Sequence, residues 1–229
     1  MTVPARTVAA FDLDGTLTRG DTLLPFLRRA RGGERLSRAV LVHSLLITRA
    51  LTSGRHRDRA KEAFLAHMLQ HQDVSTLRTT AASFAEEVVD RRLRSDVLDR
   101  VRAHRRAGHE LVIVSASPEI YVNPIGRLLG FDAILATRLE TGPNGRLTGR
   151  IEGLNCRGAE KLARLTAWTG DVPAIVYAYG DSAGDRELLA GADVAFRLRR
   201  GRRHSAKQWG AVTAASDVVG DDPGVRVDR

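Results

Sequence analysis

Short apolar runs alternate with amphipathic stretches along most of the chain. Four runs have the composition of buried parallel strands, at residues 7–11, 110–114, 174–179 and 194–196. Helical patterns lie between them, notably at 96–107 and 159–169. This alternation predicts an α/β fold with a doubly wound, Rossmann-like parallel sheet at its core.

The interval 19–94 breaks this rhythm. It shows almost no strand pattern but has long amphipathic helical stretches at 57–70 and 76–94. Because a βαβ crossover needs far fewer residues, the interval predicts a helical cap subdomain inserted after the first strand. The remaining predicted parts are an α/β core at 1–18 and 95–213 and a poorly ordered tail at 214–229.

Two local patterns add detail. Gly142-Pro143-Asn144-Gly145 lies within residues 140–154 and predicts a β-hairpin. The longest apolar stretch, at 39–47, is much shorter than the ~20 residues of a membrane-spanning helix. It therefore predicts a buried or interfacial helix, and the chain is expected to have no transmembrane segment.

Composition narrows the class of protein. The chain has 229 residues, of which 43% are hydrophobic and 28% charged, as is ordinary for a folded soluble protein. Its formal net charge of +9 favours anionic ligands such as phosphate esters, acidic membranes or nucleic acid, without choosing among them. Cys156 is the single cysteine, which excludes an intrachain disulfide. With no signal-peptide pattern before the first strand, a cytoplasmic protein is expected.

Basic side chains are dense between residues 197 and 207. A solvated surface explains them, and contact with anionic lipid or an acidic partner is the sharper alternative. Aromatic residues make up only 5% of the chain, and no zinc-finger spacing occurs. Nucleic acid is therefore not an expected partner.

Acidic residues follow two of the predicted strands. Asp12 and Asp14 come directly after the first strand, where their side chains would point the same way if strand geometry persisted. Two such carboxylates repel each other, and Mg²⁺ relieves the repulsion. Asp181 and Asp185 form a second pair after Gly180. Each pair also has a simpler interpretation. The first pair could be an acidic turn that closes the strand, and the second could be the N-cap of a helix at 186–190.

Two further positions could bind phosphate. Ser115 follows a strongly apolar strand, and its hydroxyl and the next backbone N–H groups, beginning with Ala116, could donate to a phosphate oxygen. A helix cap is the simpler interpretation. Lys161 lies in an apolar helical stretch, where it is either a solvated lysine or a cation that neutralises phosphate and carboxylates.

Together these clusters resemble the four motifs of the haloacid dehalogenase superfamily, in order along nearly the whole chain. The matching runs are FDLDGTLT from Phe11, VSASP around Ser115, NCRGAEK ending at Lys161, and YGDSAGD from Tyr179. The insert after the first motif and the run GRLTG from Gly145 look like subfamily IB, the phosphoserine phosphatase-like branch.

The resemblance implies a magnesium-dependent phosphomonoester hydrolase that forms an aspartyl-phosphate intermediate. Asp12 would be the nucleophile, and Asp14 would protonate the leaving alcohol and then activate water. The implied magnesium ligands are Asp12, the Asp14 backbone carbonyl and Asp181. The implied phosphate ligands are Ser115, Ala116 and Lys161, and the supporting residues are Thr16, Gly180 and Asp185.

Substrate choice is less determined. A small phosphorylated metabolite is implied, such as phosphoserine, histidinol phosphate or a sugar or polyol phosphate. Asp21 occupies a place comparable to the acidic residue that reads the amino group in phosphoserine phosphatases, but residues 59–64 show no clean equivalent of their carboxylate-binding arginine. The alternatives are phosphotransfer to an acceptor alcohol and a non-catalytic basic binding module.

Overall fold

A computed structural model describes residues 6–43 and 54–199, with the backbone alone at 54–57. Its strands are β1 (Arg6–Phe11), β2 (Glu110–Pro118), β3 (Ala133–Thr137), β4 (Leu139–Thr141), β5 (Leu147–Ile151), β6 (Ala174–Gly180) and β7 (Val194–Arg197). Five of them form a parallel sheet in the order β3-β2-β1-β6-β7. The predicted doubly wound α/β fold is confirmed.

The helices of the described residues fall into two groups. Between β1 and β2 lie α1 (Leu23–Arg31), α2 (Gly33–Val42), α3 (Gly54–Leu69), α4 (Val74–Arg91) and α5 (Ser95–Arg106). After β2 come α6 (Glu119–Leu128), α7 (Ala159–Thr169) and the short α8 (Arg186–Ala190). The predicted helices at 57–70 and 76–94 therefore exist with shifted ends.

Helices cover both faces of the sheet, which explains the continuous apolar runs of its strands. In β1, Ala9 and Phe11 face α5 and α6, whereas Val8 and Ala10 face α7 and α8. All four side chains are fully buried. Phe11 pairs with Ile113 of β2 and with Tyr179 of β6, so the carboxyl ends of these three strands meet at one edge of the sheet.

Strand β2 is longer than the predicted 110–114. The apolar run ends at Val114, but pairing with β3 continues past an irregularity between Ser115 and Pro118. The polar residues of this irregularity thus remain part of the strand, which directs them toward the edge where β1 ends.

The insert shares the hydrophobic core of the sheet. Phe26 of α1 and Phe84 of α4 contact Tyr121 of α6, and these rings belong to the same apolar cluster as Phe11. The predicted hairpin is confirmed as β4–β5, which packs against α3. At Gly149 φ is +88° and a Cβ would lie 3.0 Å from the Ala66 backbone, so this contact requires glycine. The division into a core and a cap stays a prediction.

Several predictions fall partly outside the described residues. The tail at 214–229 lies outside them, as does most of the basic cluster, of which Arg197 and Arg199 are described and exposed. In the stretch 39–47, Ala39 is buried, whereas Leu41 and Val42 are 75% and 66% exposed. No helix within 6–43 or 54–199 is long and apolar enough to cross a membrane.

A buried polar chain lies behind β6. His104 of α5 is fully buried, with Nε2 2.7 Å from the Tyr179 hydroxyl and Nδ1 2.8 Å from Nδ1 of His109. Arg100 Nε also donates to the Tyr179 hydroxyl, at 2.7 Å. Burial, reinforced by Arg100 and His109, lowers the pKa of His104 to about 2. A neutral imidazole suits this place and an imidazolium does not.

We expect this histidine to make the protein acid-labile. Because the unfolded chain takes up a proton near the ordinary pKa and folded His104 does not, stability falls as the pH drops below ~6.5, by about 2 kcal/mol at pH 5. Urea unfolding from pH 7.5 to 5 measures this slope. His104→Gln should be less stable at pH 7.5 but show a flatter pH dependence; an unchanged slope would contradict the assignment.

Candidate active site

A tight turn places Asp12 at the end of β1. Its backbone N–H donates to the Tyr179 carbonyl at 2.9 Å, which continues the β1–β6 pairing. The chain then turns through Leu13–Leu17, with φ of +88° at Gly15, a conformation that glycine adopts without strain. Thr18 secures the turn by donating its hydroxyl to the Leu13 carbonyl. The Asp12 side chain is left pointing inward, only 6% exposed.

Lys161, in the first turn of α7, bridges two carboxylates. Its Nζ donates to Asp12 at 2.5 Å and to Asp185 at 2.6 Å, and the residue is only 2% exposed. The interpretation of Lys161 as a solvated lysine is therefore wrong. Burial lowers the pKa of Lys161, but the two carboxylates outweigh this and raise the pKa above its usual value.

The two carboxylates differ although they share one cation. Burial raises the pKa of Asp12 to about 7, against the opposing effect of Lys161. Burial acts the same way on Asp185, but there Lys161 and hydrogen bonds from Ser182 prevail and the pKa is lowered. Ser182 donates both its N–H and its hydroxyl to Asp185, at 2.9 and 2.7 Å. Asp185 thus closes the turn before α8, but its side chain makes no cap hydrogen bond to that helix, so the interpretation of this pair as a side-chain N-cap of α8 is not borne out.

Three carboxylates converge at this edge. Oxygens of Asp12, Asp181 and Asp185 all lie within 4.8 Å of one another. Gly180 makes the approach possible, because a Cβ there would lie 2.5 Å from the Asp185 Cβ. One ammonium, that of Lys161, offsets three negative charges. This hard, oxygen-rich and still anionic set fits a divalent cation such as Mg²⁺.

Asp14 points away from this carboxylate cluster. Strand geometry does not persist beyond β1, so the condition under which Asp12 and Asp14 would point the same way fails. Asp14 Oδ1 accepts the N–H of Thr22 at 2.7 Å and its hydroxyl at 2.6 Å, while Oδ2 accepts the Ser117 hydroxyl at 2.5 Å. Burial, with nearby Asp21, raises the pKa of Asp14 despite these hydrogen bonds.

The end of β2 brings the second cluster to the first. Ser115 is 1% exposed, and its Oγ accepts the Ser117 N–H at 3.1 Å. The Ala116 carbonyl accepts the Thr137 hydroxyl at 2.7 Å and also the Lys61 ammonium. Through Ser117–Asp14 on one side and the Lys161 bridge on the other, direct hydrogen bonds connect all four sequence clusters.

A model of the haloacid dehalogenase-like hydrolases matches residues 9–190. The chain belongs to this family. The predicted superfamily and the prediction of an enzyme are thereby confirmed. Every cluster of the site just described lies within the matched residues.

Curated relatives include proteins named as phosphatases. The hydrolase is 39% identical over 199 residues to CicA of Caulobacter vibrioides, covering 85% of this chain and 87% of CicA. A probable phosphatase of Mycobacterium tuberculosis is 32% identical over 191 residues, 81% of this chain and 66% of that protein. A phosphoserine phosphatase of Archaeoglobus fulgidus is 28% identical over 195 residues, but the hydrolase spans only 52% of its length.

Solved structures share the fold. A protein of unknown function from Bordetella pertussis is 29% identical with a TM-score of 0.71, over 84% of this chain and 90% of that one. A phosphoserine phosphatase in a phospho-aspartyl intermediate analogue form is 21% identical with a TM-score of 0.57, over 84% and 86%. At that identity the second match concerns the fold alone.

Two other predicted residues of the hydrolase have identifiable places. Asp21 is exposed, lies just before the N-cap residue Thr22, and accepts the Leu24 N–H of the first turn of α1 at 3.0 Å; reading a substrate amino group stays a prediction. Thr16 is fully buried, and its hydroxyl has no hydrogen-bond partner within the described residues. A supporting role for Thr16 stays a prediction.

Sequence reasoning missed the partners of Asp14. Thr22 and Ser117 hold both carboxylate oxygens, and the Tyr121 hydroxyl lies 3.3 Å from that of Thr22. Ser117 could have been found, because it lies in the same polar run as Ser115. Tyr121 and Thr22 have no local signal, since they depend on how α1 and α6 pack.

Proposed function

We propose that this hydrolase cleaves phosphomonoesters of small metabolites with Mg²⁺, through an aspartyl-phosphate on Asp12. The observation that carries the proposal is the buried Asp12 carboxylate, bonded to Lys161 and clustered with Asp181 and Asp185 at the carboxyl end of β1. In a sheet of this order, the ends of β1 and its neighbours flank the switch point where ligands bind.

In the proposed reaction an oxygen of Asp12 attacks phosphorus in line with the leaving oxygen. The new O–P bond forms as the ester O–P bond breaks, and Asp14 gives its proton to the departing alkoxide. Water then attacks phosphorus, loses its proton to Asp14 and releases inorganic phosphate and free Asp12. The raised pKa of Asp14 suits this exchange, because it keeps a proton available closer to neutral pH.

The remaining residues are proposed to bind the phosphoryl group and the metal ion and to orient them. Lys161, the Ser115 hydroxyl and the Ala116 N–H are proposed to bind the equatorial phosphoryl oxygens, where negative charge is concentrated. Asp12, Asp181 and the Asp14 backbone carbonyl are proposed to bind the metal, with Asp185 beside them. Bound Mg²⁺ supplies charge neutralisation for the carboxylates and the phosphoryl group.

The proposed substrate class is a small phosphorylated metabolite in the cytoplasm. The relatives' names include a phosphoserine phosphatase, but Asp21 here accepts the N–H of Leu24 in the first turn of α1, and the substrate-reading arginine has no clean equivalent. Phosphoserine, histidinol phosphate and sugar or polyol phosphates are therefore all to be tested. A panel of these esters with phosphate release as the readout ranks them.

Removing metal should abolish activity. Protein dialysed against EDTA is expected to lose hydrolysis of p-nitrophenyl phosphate and to regain it with Mg²⁺, because three clustered carboxylates otherwise repel the phosphate dianion. Asp181→Asn should raise the Mg²⁺ concentration for half-maximal activity by ~10-fold or more. Exposed Asp99→Asn is the matched control. Full activity in EDTA would contradict the metal assignment.

A further inference from the structure

The cation of Lys61 lies in an unusual place. Lys61 belongs to α3, yet it reaches the end of the parallel sheet, where Nζ donates to the Ala116 carbonyl and to Asn155 Oδ1 at 2.6 Å. Asp58, one turn earlier on α3, accepts the Asn155 side-chain N–H at 2.6 Å. No ion pair joins Lys61 to a carboxylate anywhere in the described part of the chain. Thus the insert, β2 and the segment before α7 meet at one ammonium.

The hydrogen bond from Lys61 to the Ala116 carbonyl connects Lys61 to the proposed phosphate site. The Ala116 carbonyl and the Ser117 N–H belong to one planar peptide unit, so a donor that fixes the carbonyl also fixes the N–H. That N–H donates to Ser115 Oγ at 3.1 Å, and the Ser117 hydroxyl donates to Asp14. One peptide plane therefore orients both the phosphate-binding serine and the partner of the acid–base carboxylate.

We infer that Lys61 is a positioning residue, which sets the Ala116–Ser117 peptide plane and through it the Ser115 hydroxyl and the Asp14 carboxylate. This inference rests on the proposed function. Lys61 itself touches neither the carboxylate cluster nor the reacting atoms. Lys61 is part of the insert, so the insert contributes a hydrogen-bond donor to the proposed phosphate-binding end of β2.

Two observations support a functional reason for this contact. Burial lowers the pKa of Lys61 to about 8, with Asp58 and Asp14 opposing it, so a charge is kept where desolvation disfavours it. The chain also contains only three lysines among its 36 lysine and arginine residues, and two of them, Lys61 and Lys161, lie at this site. A slender ammonium fits between two acceptors that a planar guanidinium would force apart.

Lys61→Met tests the inference, with Arg59→Met as the matched control on the exposed side of α3. We expect kcat for p-nitrophenyl phosphate to fall by roughly 10- to 100-fold and the Ki of orthophosphate to rise. The Mg²⁺ requirement and the melting temperature should hardly change, because the metal cluster is untouched and the charge that is removed is one that desolvation disfavours. Kinetic constants within about twofold of wild type in folded Lys61→Met would overturn the inference.

A second variant and an activity-independent readout complete the test. Thr137→Val removes the other donor to the Ala116 carbonyl, and should lower kcat in the same way, less than additively with Lys61→Met. Both variants should speed hydrogen exchange in the segment 115–118. If Thr137→Val left both the exchange rate and kcat unchanged, the inference would be overturned, even if Lys61→Met failed to fold. If the wild-type protein had no phosphatase activity, the proposed function would be wrong. The hydrogen-exchange measurement would still test whether Lys61 orders the segment 115–118.

Discussion

Replacing Asp12 by asparagine is expected to lower kcat for p-nitrophenyl phosphate by roughly 10⁴-fold or more. The amide oxygen is a poor nucleophile toward phosphorus, and the nearby carboxylates of Asp185 and Asp14 are held by other partners. Asp185 is held by Lys161 and Ser182, and Asp14 points toward Thr22. Initial rates at saturating Mg²⁺ measure the loss.

The fold should survive this change. Asparagine retains an oxygen that can accept from Lys161, and the loss of one negative charge eases the repulsion between Asp12 and Asp185. The melting temperature is therefore expected not to fall. Freshly purified protein should be checked by mass spectrometry, since deamidation would restore aspartate. A folded, intact Asp12→Asn variant within tenfold of wild-type kcat would refute the nucleophile assignment.

Replacing Lys161 by methionine should have the second-largest effect, on stability and on rate together. Its ammonium is buried between Asp12 and Asp185, and removal leaves two desolvated carboxylates facing each other. Breaking a buried ion pair by deleting one partner costs about 3–5 kcal/mol. Loss of a charged group from the proposed phosphate site should lower kcat by about 10²–10³-fold. Urea unfolding without metal and steady-state kinetics with Mg²⁺ measure the two effects.

A double variant separates the two roles of Lys161. Lys161→Met leaves the buried carboxylates of Asp12 and Asp185 without their counter-ion. Adding Asp185→Asn removes one of these two charges, so most of the lost stability should return while kcat stays low. If the double variant regained wild-type kcat, Lys161 would act only as a structural counter-ion. If Lys161→Met were as stable as wild type, the buried bridge would be wrong.

The parallel sheet and most of the site could be predicted from local sequence. Apolar runs that end in Asp12, Ser115 and Gly180 identify parallel strands whose carboxyl ends meet, which is sufficient to bring those clusters together. The pairing of β1 with both β2 and β6 realises this expectation. Lys161 required the resemblance, because an isolated lysine in a helix gives no sign of its burial.

The remainder of the site depends on packing that no local pattern encodes. The direction of the Asp14 side chain is decided by the turn after β1, and its partner Thr22 belongs to the insert. Lys61 reaches Ala116 from α3, which packs against the β4–β5 hairpin, and both contacts join segments that are far apart in sequence. Such contacts follow from the tertiary fold and are visible only in three dimensions.

The most direct test of the central claim is to trap the phosphoryl group on Asp12. Protein mixed with substrate and Mg²⁺ is quenched with acid, reduced with borohydride, and digested for peptide mapping by mass spectrometry. Borohydride converts an acyl phosphate to an alcohol, so Asp12 is predicted to be read as homoserine, in wild type and not in Asp12→Asn. Turnover with reduction at another carboxylate, or at none, would contradict the account.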